Sequence, residues 1–236
     1  LTPVGFAGRM WAPQLAALTV AVAILAVRYR RDLGSSYEIP ERVTPTDPLL
    51  FRVSAVVCIL MAPLFAVGLP VAAVASVAAV VLLGFFVVRQ REALSFSLVP
   101  WRLVLLVEGL FLAVTALGNH GLDNLLDNLA GGGTGYLDVL RTPGVGAAGS
   151  NLVNNLPAYL AVGRVTAGNV PHTLAALIGT NVGPLITVWA SLATLLWRER
   201  CKARGLEIKT REFVTLGVIG VPLMLLAATA ALYATT

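Results

Sequence analysis

The chain has 236 residues, of which 57% are hydrophobic and 12% charged, and its mean hydropathy is +0.83. A soluble domain carries about 25% charged residues, so this composition excludes an ordinary soluble domain and predicts an all-α integral membrane protein with the lipid bilayer as its medium. The net charge of +5 comes from short basic loops, and nucleic acid is therefore not an expected partner. The sequence shows no nucleophile–base pair and no metal-ligand spacing, so we expect no enzyme, no catalytic residue, no metal and no cofactor.

The first half of the chain predicts three membrane spans. Span A covers about residues 10–28, and the charge-free run Val53–Val88 that comes later is too long for one crossing of roughly 30 Å. Gly68-Leu69-Pro70 divides this run into span B, about 49–67, and span C, about 69–88. The first residue is Leu and no signal motif precedes span A, so we expect a chain truncated at its N-terminus or the latter part of a longer polypeptide.

The second half predicts three more spans and one stretch that does not fit a simple span. Span D covers about residues 102–119, span E about 172–197 and span F about 212–234. The largest basic group lies between spans E and F, and short basic loops stay in the cytoplasm. This rule orients all six spans consistently, and it predicts a multi-pass protein of the plasma (inner) membrane with its C-terminus outside.

Residues 120–171 connect the outer ends of spans D and E. Residues 120–130 place leucines at helical spacing opposite Asp123 and Asp127, which predicts a short amphipathic helix at the membrane interface. The stretch of about 137–166 is largely apolar but is interrupted by Gly and Pro. A straight span there would break the alternation of sides. The sequence therefore predicts a re-entrant helical hairpin that enters from the outside and returns to it.

The tip of the predicted hairpin is the polar sequence Gly149–Pro157, in which Pro157 is expected to break the helix. Non-helical backbone at membrane depth is tolerated only where protein or water covers it, so the tip should line a cavity that binds a substrate or ion. The alternative is that the polar residues only cap helix ends and bond between helices. The candidate ligands at the tip are Ser150, Asn151, Asn154 and Asn155.

Span E predicts a discontinuous transmembrane helix. The sequence Gly179–Pro184 is not typical of a helix interior, and helix is expected to resume around Thr187. The first half would aim its last carbonyls at the break and the second half its first amides, so the break could hold a small polar solute or an ion. Pro184 is the expected structural break, and the candidate ligands are Gly179, Thr180, Asn181, Gly183 and Thr187.

Span D holds one acid, Glu108, near the middle of its length. An ionisable residue at this depth is a functional hypothesis, and desolvation favours its protonated form. We therefore predict Glu108 as a proton-coupling candidate. The alternative is a protonated glutamate that bonds to a neighbouring helix. The two histidines are given no role at this stage.

Four stretches of the chain, among them the polar sequences at the two predicted breaks, resemble motifs of the arsenite/antimonite efflux permeases, the arsenical pump membrane protein family. Gly149–Pro157 is similar to the family's Asn-Asn-Leu/Met-Pro signature, and Ile178–Pro184 to its Gly-x-x-x-Gly-Pro motif. Ser191–Trp197 reads Ser-Leu-Ala-Thr-Leu-Leu-Trp, as in the family, and Pro100-Trp101-Arg102 is also similar. The resemblance covers essentially the whole chain and is strongest over residues 100–200.

The resemblance implies the ion-transporter superfamily fold, in which two inverted repeats each contain a re-entrant hairpin and a broken helix. The chain would supply the second repeat, and the first, N-terminal repeat would be its missing partner. A homodimer through spans B and C is expected, and the family implies a cytoplasmic ATPase subunit as in some members. The implied layout is the last helix of the first repeat (1–31), a cytoplasmic linker (32–48), a scaffold of spans B and C with a cytoplasmic loop (49–100), and the transport part (101–236).

The resemblance also implies a function, arsenite/antimonite efflux by proton antiport through alternating access. Some residues depart from the family. Its better-known pumps carry Asp where this chain has Asn181 and Lys where it has Leu185, and they lack an acid at Glu108. The substrate is therefore open, and the alternative is a sodium/proton antiporter or a sodium-coupled anion transporter of the same superfamily. A membrane sensor is a third class, which the lack of a sizeable soluble stretch disfavours.

Overall fold

The computed structural model describes residues 2–36 and 44–236, and the regular elements within these ranges are helices. The middle of the predicted linker 32–48 lies outside the described residues. The α-helices, in chain order, are α1 Pro3–Arg28, α2 Arg30–Leu33, α3 Pro48–Ala66, α4 Val71–Arg89, α5 Trp101–Leu117, α6 Asp123–Ala130, α7 Tyr136–Val153, α8 Asn155–Val165, α9 Val170–Val182, α10 Leu192–Ala203 and α11 Thr210–Thr235.

Five helical stretches of the described chain are long and apolar enough to cross a bilayer: α1, α3, α4, α11 and the continuous stretch Trp101–Ala130. They include predicted spans A, B, C, D and F. The prediction of an all-helical integral membrane protein is therefore confirmed. The inverted repeat, the re-entrant course of the hairpin and the side on which the C-terminus lies stay predictions.

The helices form two compact units, Leu1–Gly8 with Gly34–Trp101, and Arg9–Leu33 with Arg102–Thr236. The first unit contains α3 and α4, which are joined by a turn at Gly68 with a φ of +90°. Asp47 caps α3 by accepting from the backbone amides of Leu49 and Leu50, both at 3.0 Å. It also pairs with Arg89 at the end of α4, and this guanidinium holds the pKa of Asp47 below its ordinary value, helped by the Leu50 amide.

The second unit contains the packed core of the chain. Its centre is made by α7, α9 and α11, and residues of α1 pack against it. Arg28, the last residue of α1, pairs with Glu212 at the start of α11, with 2.8 Å between Nη2 and Oε1. The Tyr29 hydroxyl donates to the same carboxylate at 3.1 Å, and this bond raises the pKa of Tyr29 above its ordinary value. The buried apolar residues of the core are Val139, Ala147, Leu174, Ala175, Ile178, Val221, Met224, Leu225, Ala228 and Leu232.

Helices α7 and α9 pack side by side with their backbones in close approach. A Cβ on Gly179 would collide with the backbone of Pro143, and one on Gly183 would collide with Ala147. A Cβ on Gly146 would lie 3.2 Å from the Ala176 carbonyl oxygen. These pairs advance together along both helices, so α7 and α9 run parallel. Both helices therefore end at the same end of the pair.

The amphipathic helix predicted over 120–130 begins later, at Asp123. It follows α5 through a π-helical turn, Gly118–Leu122, in which Gly121 has a φ of +100°. Arg164 on α8 holds α6 in place, because its Nη2 lies 3.0 Å from Asp123 Oδ1. The buried Gly118 leaves room for this guanidinium, since a Cβ there would collide with it. The position of α6 at a membrane interface stays a prediction.

The discontinuity in span E lies nearer the C-terminus than the sequence predicts. Helix α9 continues through Gly179 to Val182, a 3₁₀ turn covers Gly183–Leu185, and helix resumes at Leu192 and not around Thr187. The reason is that Thr180 and Asn181 donate to carbonyls of their own helix, at 2.9 Å to Ala176 and 2.8 Å to Leu177. Side-chain bonds of this kind are compatible with helix.

Candidate functional site

The break between α7 and α8 is a single residue, Asn154. Its φ of +80° and ψ of +153° lie in a region that is essentially confined to glycine and costs on the order of 1–3 kcal/mol for other residues. It is the one non-glycine residue of the described chain with a positive φ. The break falls three residues before Pro157, which lies in the first turn of α8, where a missing N–H costs little. Strained backbone of this kind clusters at functional sites.

The strained residue is held by the segment that follows α9. Asn154 Nδ2 donates to the Trp189 carbonyl at 3.0 Å, and the Asn155 backbone N–H donates to the Ala190 carbonyl at 2.8 Å. The Asn154 backbone N–H closes the last turn of α7 by donating to Ser150 at 3.0 Å. The helix break therefore depends on contacts with the second broken helix.

Asn151 fastens the two breaks to each other. Its Nδ2 donates to the carbonyls of Ala147 at 2.8 Å and Gly183 at 2.9 Å. Its Oδ1 accepts from the Thr187 hydroxyl at 2.7 Å, and its backbone carbonyl accepts from Trp189 Nε1 at 2.9 Å. Both amide hydrogens of Asn151 are thus used within the protein, so this residue has a structural task in the site.

Two side-chain oxygens at the break have no partner. Asn154 Oδ1 and Asn155 Oδ1 are buried and receive no hydrogen bond among the described residues. Leaving a buried acceptor unpaired costs about 1–3 kcal/mol, so such an atom in a folded protein calls for an explanation. An amide oxygen can accept a hydrogen bond from a hydroxyl or coordinate a cation. These two atoms are therefore the best candidates for contact with a ligand.

The hydrogen bonds at the break connect four helix ends. The C-terminal ends of α7 and α9 carry partial negative charge, and the N-terminal ends of α8 and α10 carry partial positive charge. Ser191 caps α10 by accepting from the backbone N–H of Thr194 at 3.1 Å. The break therefore combines donors and acceptors without a formally charged side chain, which suits a small neutral solute with hydroxyl groups.

Several predicted site residues pack helices and do not face the two free oxygens. The Ser150 hydroxyl donates to Gly146 at 2.8 Å, and Gly183 packs on α7. Pro184 lies within the 3₁₀ turn after α9. Asn181 is exposed and donates to the Leu177 carbonyl of its own helix at 2.8 Å, and its role as a ligand stays a prediction. Of the predicted ligands, the structure brings together Asn151, Asn154, Asn155, Gly183 and Thr187.

Glu108, the predicted proton-coupling residue, is exposed on α5. Within the described chain it takes part in no hydrogen bond or ion pair. Its role stays a prediction, and the geometry of this chain gives it no contact with the break.

The sequence did not point to two other groups of residues. One is the segment of Trp189 and Ala190, whose carbonyls hold the hairpin break. The other is a buried cluster of His172 and Thr142 at the opposite end of α7 and α9. A local signal for the second was present, because Asn169 caps α9 and places His172 in its first turn.

The five apolar helical stretches of the described chain and the two hydrogen-bonded helix breaks define the class of the molecule, a multi-pass membrane protein with a buried polar site. The sequence matches the arsenical pump membrane protein family over residues 1–235, and the chain belongs to that family. It is 29% identical over 243 residues to the arsenical pump membrane protein of Escherichia coli K12 and 30% identical over 243 residues to that of Yersinia enterocolitica. Both comparisons cover 91% of the chain and 54% of the relative, so the chain spans about half their length. No solved structure shows a significant match.

Proposed function

We propose that the chain carries the substrate-binding half of an exporter of trivalent metalloid hydroxides, arsenite and antimonite, that works as a proton antiporter. The observation that carries this proposal is the pair of buried oxygens without partners in the described chain, Asn154 Oδ1 and Asn155 Oδ1. The relatives' description as arsenical pumps supports the substrate class.

The chemistry of the substrate fits these two oxygens. Arsenous acid is a small neutral molecule at neutral pH and presents three O–H donors. Asparagine oxygens accept such donors, whereas an unpaired charge in the site would have to be desolvated. Two O–H groups would pair with Asn154 and Asn155, and the third would reach a group outside this pair. The cost of removing water from arsenous acid would then be offset by its hydrogen bonds to these two oxygens.

Transport would proceed by alternating access. The hairpin of α7 and α8 and the broken helix α9–α10 would move as one body, while α3 and α4 would form the scaffold and the interface of a homodimer. The hairpin would be re-entrant, and the relatives' remaining length would supply an inverted repeat that completes the site. The protein would lie in the inner membrane with its C-terminus outside, and a cytoplasmic ATPase would be its partner in some settings.

The proposal is tested with the full-length protein in a metalloid-sensitive host. Asn155→Ala removes one free oxygen, and Asn154→Gly removes the other while tolerating the positive φ. Both variants should reach the membrane and lose arsenite tolerance. Asn124→Ala is the matched control, because it removes an exposed asparagine on α6 that is not a predicted ligand and should keep tolerance.

Two results would contradict the proposal. The first is wild-type protein that reaches the membrane without changing arsenite tolerance or cellular arsenite content. The second is full tolerance in the double variant Asn154→Gly/Asn155→Ala, since the two oxygens could then not be the contacts to substrate.

A sodium-coupled transporter or sodium/proton antiporter is the second candidate. The same two amide oxygens could coordinate Na⁺, and the negative ends of α7 and α9 favour a cation. Vesicle uptake in sodium and in choline media separates the candidates. Sodium-dependent flux that Asn155→Ala abolishes would support the second candidate, whereas metalloid flux independent of sodium supports the first.

A further inference from the structure

A buried histidine lies at the end of the α7–α9 pair that is remote from the helix breaks. The His172 side chain is 2% exposed, and Thr142, next to it on α7, is fully buried. Thr142 and Asn154 are twelve residues apart, so the two sites are separated by about 18 Å along α7. Buried ionisable residues in membrane proteins are costly, and a proton pathway is one of the functions that retain them.

Three hydrogen bonds surround the imidazole and its partner. His172 Nε2 lies 2.9 Å from the Gly133 carbonyl oxygen, and Nδ1 lies 2.6 Å from the Thr142 hydroxyl. The same hydroxyl lies 2.9 Å from the Ala130 carbonyl oxygen at the end of α6. The cluster thereby joins α6, the glycine loop 131–135, α7 and α9.

The number of hydrogens in the cluster depends on the charge of the imidazole. A carbonyl cannot donate, so Nε2 must carry a hydrogen for Gly133. In the neutral imidazole Nδ1 has no hydrogen, and the single hydrogen of Thr142 can serve either Nδ1 or Ala130. With one more proton, Nδ1 donates to Thr142 and Thr142 donates to Ala130. All three bonds are made only in the protonated cluster.

We infer that His172 binds the proton that the transporter exchanges, an inference that rests on the proposed antiport. Thr142 transmits the protonation state of His172 to α6. Protonation fastens the Ala130 carbonyl to α7. Loss of the proton lets Thr142 turn its hydrogen to Nδ1, which frees the Ala130 carbonyl, while Arg141 still donates to the Asn128 carbonyl at 2.8 Å. Because Arg164 and Asp123 tie the start of α6 to α8, the loss of the bond at its last residue changes how the hairpin is held.

The charged side chains on the described helices around His172 do not contact its imidazole through a hydrogen bond. On α7, Asp138 and Arg141 pair with each other at 3.9 Å, and their side chains are 43% and 51% exposed. The titratable and charged groups on the surrounding helices are Asp123 and Asp127 on α6, Tyr136, Asp138 and Arg141 on α7, Tyr159 and Arg164 on α8, and Arg211, Glu212 and Tyr233 on α11.

The test reconstitutes the full-length protein in proteoliposomes and measures arsenite flux in two ways. One is arsenite exchange without a pH gradient, and the other is arsenite accumulation driven by an imposed pH gradient. His172→Gln should keep exchange and lose gradient-driven accumulation together with its pH dependence. His120→Gln, which changes the chain's other histidine on an exposed site, should keep both activities.

Substitutions of Thr142 test the relay. Thr142→Val keeps the shape but removes the hydroxyl, so it should reproduce the loss of gradient-driven accumulation. Thr142→Ser keeps a hydroxyl at this position and should retain coupling. If His172→Gln fails to fold, this pair still decides the matter, because equal coupling in the Thr142→Val and Thr142→Ser proteins would overturn the inference.

Other outcomes separate a structural histidine from failure of the proposed function. Equal losses of exchange and accumulation in His172→Gln, with an unchanged pH profile, would mean a purely structural role and overturn the inference. Full accumulation in His172→Gln would also overturn it. Absence of any arsenite flux in the wild-type protein would instead contradict the proposed function. In that case, histidine-selective ¹⁵N NMR of the purified wild-type protein between about pH 5 and 8 would still test whether His172 binds a proton.

Discussion

The α3–α4 pair and the α7–α9 pair show two ways of packing membrane helices. Within its own unit, α3 buries only Leu50 and α4 buries no residue, and the ends of this pair are joined by one ion pair. Helices α7 and α9 bring backbone against backbone and bury polar groups that bond across the pair. A helix that only has to cross lipid tolerates many side chains, whereas a helix that carries a site needs a fixed register.

The largest effect should come from adding one methyl group between α7 and α9. Gly179→Ala places a Cβ against the Pro143 backbone and should destabilise the protein by about 1–3 kcal/mol. In Gly84→Ala on α4, the added Cβ would meet no described atom outside its own helix within 4 Å. This substitution should leave stability unchanged or raise it by up to about 1 kcal/mol through helix propensity. Thermal unfolding of the two full-length variants in detergent measures this difference, and equal melting temperatures would contradict the comparison.

A β-branched residue at the hairpin break should have an effect of similar size. Asn154→Val must adopt a φ of +80° and loses the bond to Trp189, so we expect a loss of about 1–3 kcal/mol. Asn154→Gly should be the milder change because it fits the backbone. A Val variant as stable as the Gly variant would show that the break can relax, and the same thermal assay decides this.

The ion pair of Arg164 and Asp123 should contribute less. Both side chains are about one-third exposed, at 30% and 36%, so the pair should be worth no more than about 1 kcal/mol. A double-mutant cycle with Arg164→Gln and Asp123→Asn isolates the coupling between them. A coupling energy near zero would mean that α6 is held by its apolar contacts and by the bond from Thr142, and not by this ion pair.

The smallest effect should be a pH dependence confined to the α3–α4 pair. The pKa of Asp47 is lowered in the folded protein by Arg89, so the ionised carboxylate stabilises the fold above the ordinary aspartate pKa. This stabilisation should be lost as the pH falls through the lowered pKa, at or below about pH 4. Asp47→Asn should remove this part of the pH dependence of the melting temperature. Tyr29 has a raised pKa, so its bond to Glu212 should be lost only in strongly alkaline solution.

The apolar spans could be predicted from the sequence because length and hydropathy alone decide them. Span C, for example, needs no information about its neighbours. The asparagine cluster could also be predicted, since polar side chains in an apolar stretch are conspicuous. Its internal roles could not be, because Asn151, Asn154 and Asn155 differ only in the partners that the fold gives them.

The misplaced break in span E has a similar reason. Glycine can mark either a break or a close helix contact, and local sequence does not distinguish them. Gly179 serves the contact with Pro143, so α9 continues past it. His172 was missed because its burial depends on Thr142, Gly133 and Ala130, which are distant in sequence.

The close contacts between α7 and α9 have a mechanical consequence. Sliding one helix along the other would press the Pro143 backbone and Ala147 of α7 against residues of α9 that are larger than Gly179 and Gly183. The pair can therefore rotate or tilt as a stiff rod, but it cannot shear. A small displacement of the pair at the His172 end should therefore also move the Asn154 end. Proton binding at His172 and ligand binding at Asn154 would then be linked through the stiffness of the α7–α9 pair as well as through the contacts of Thr142 with α6.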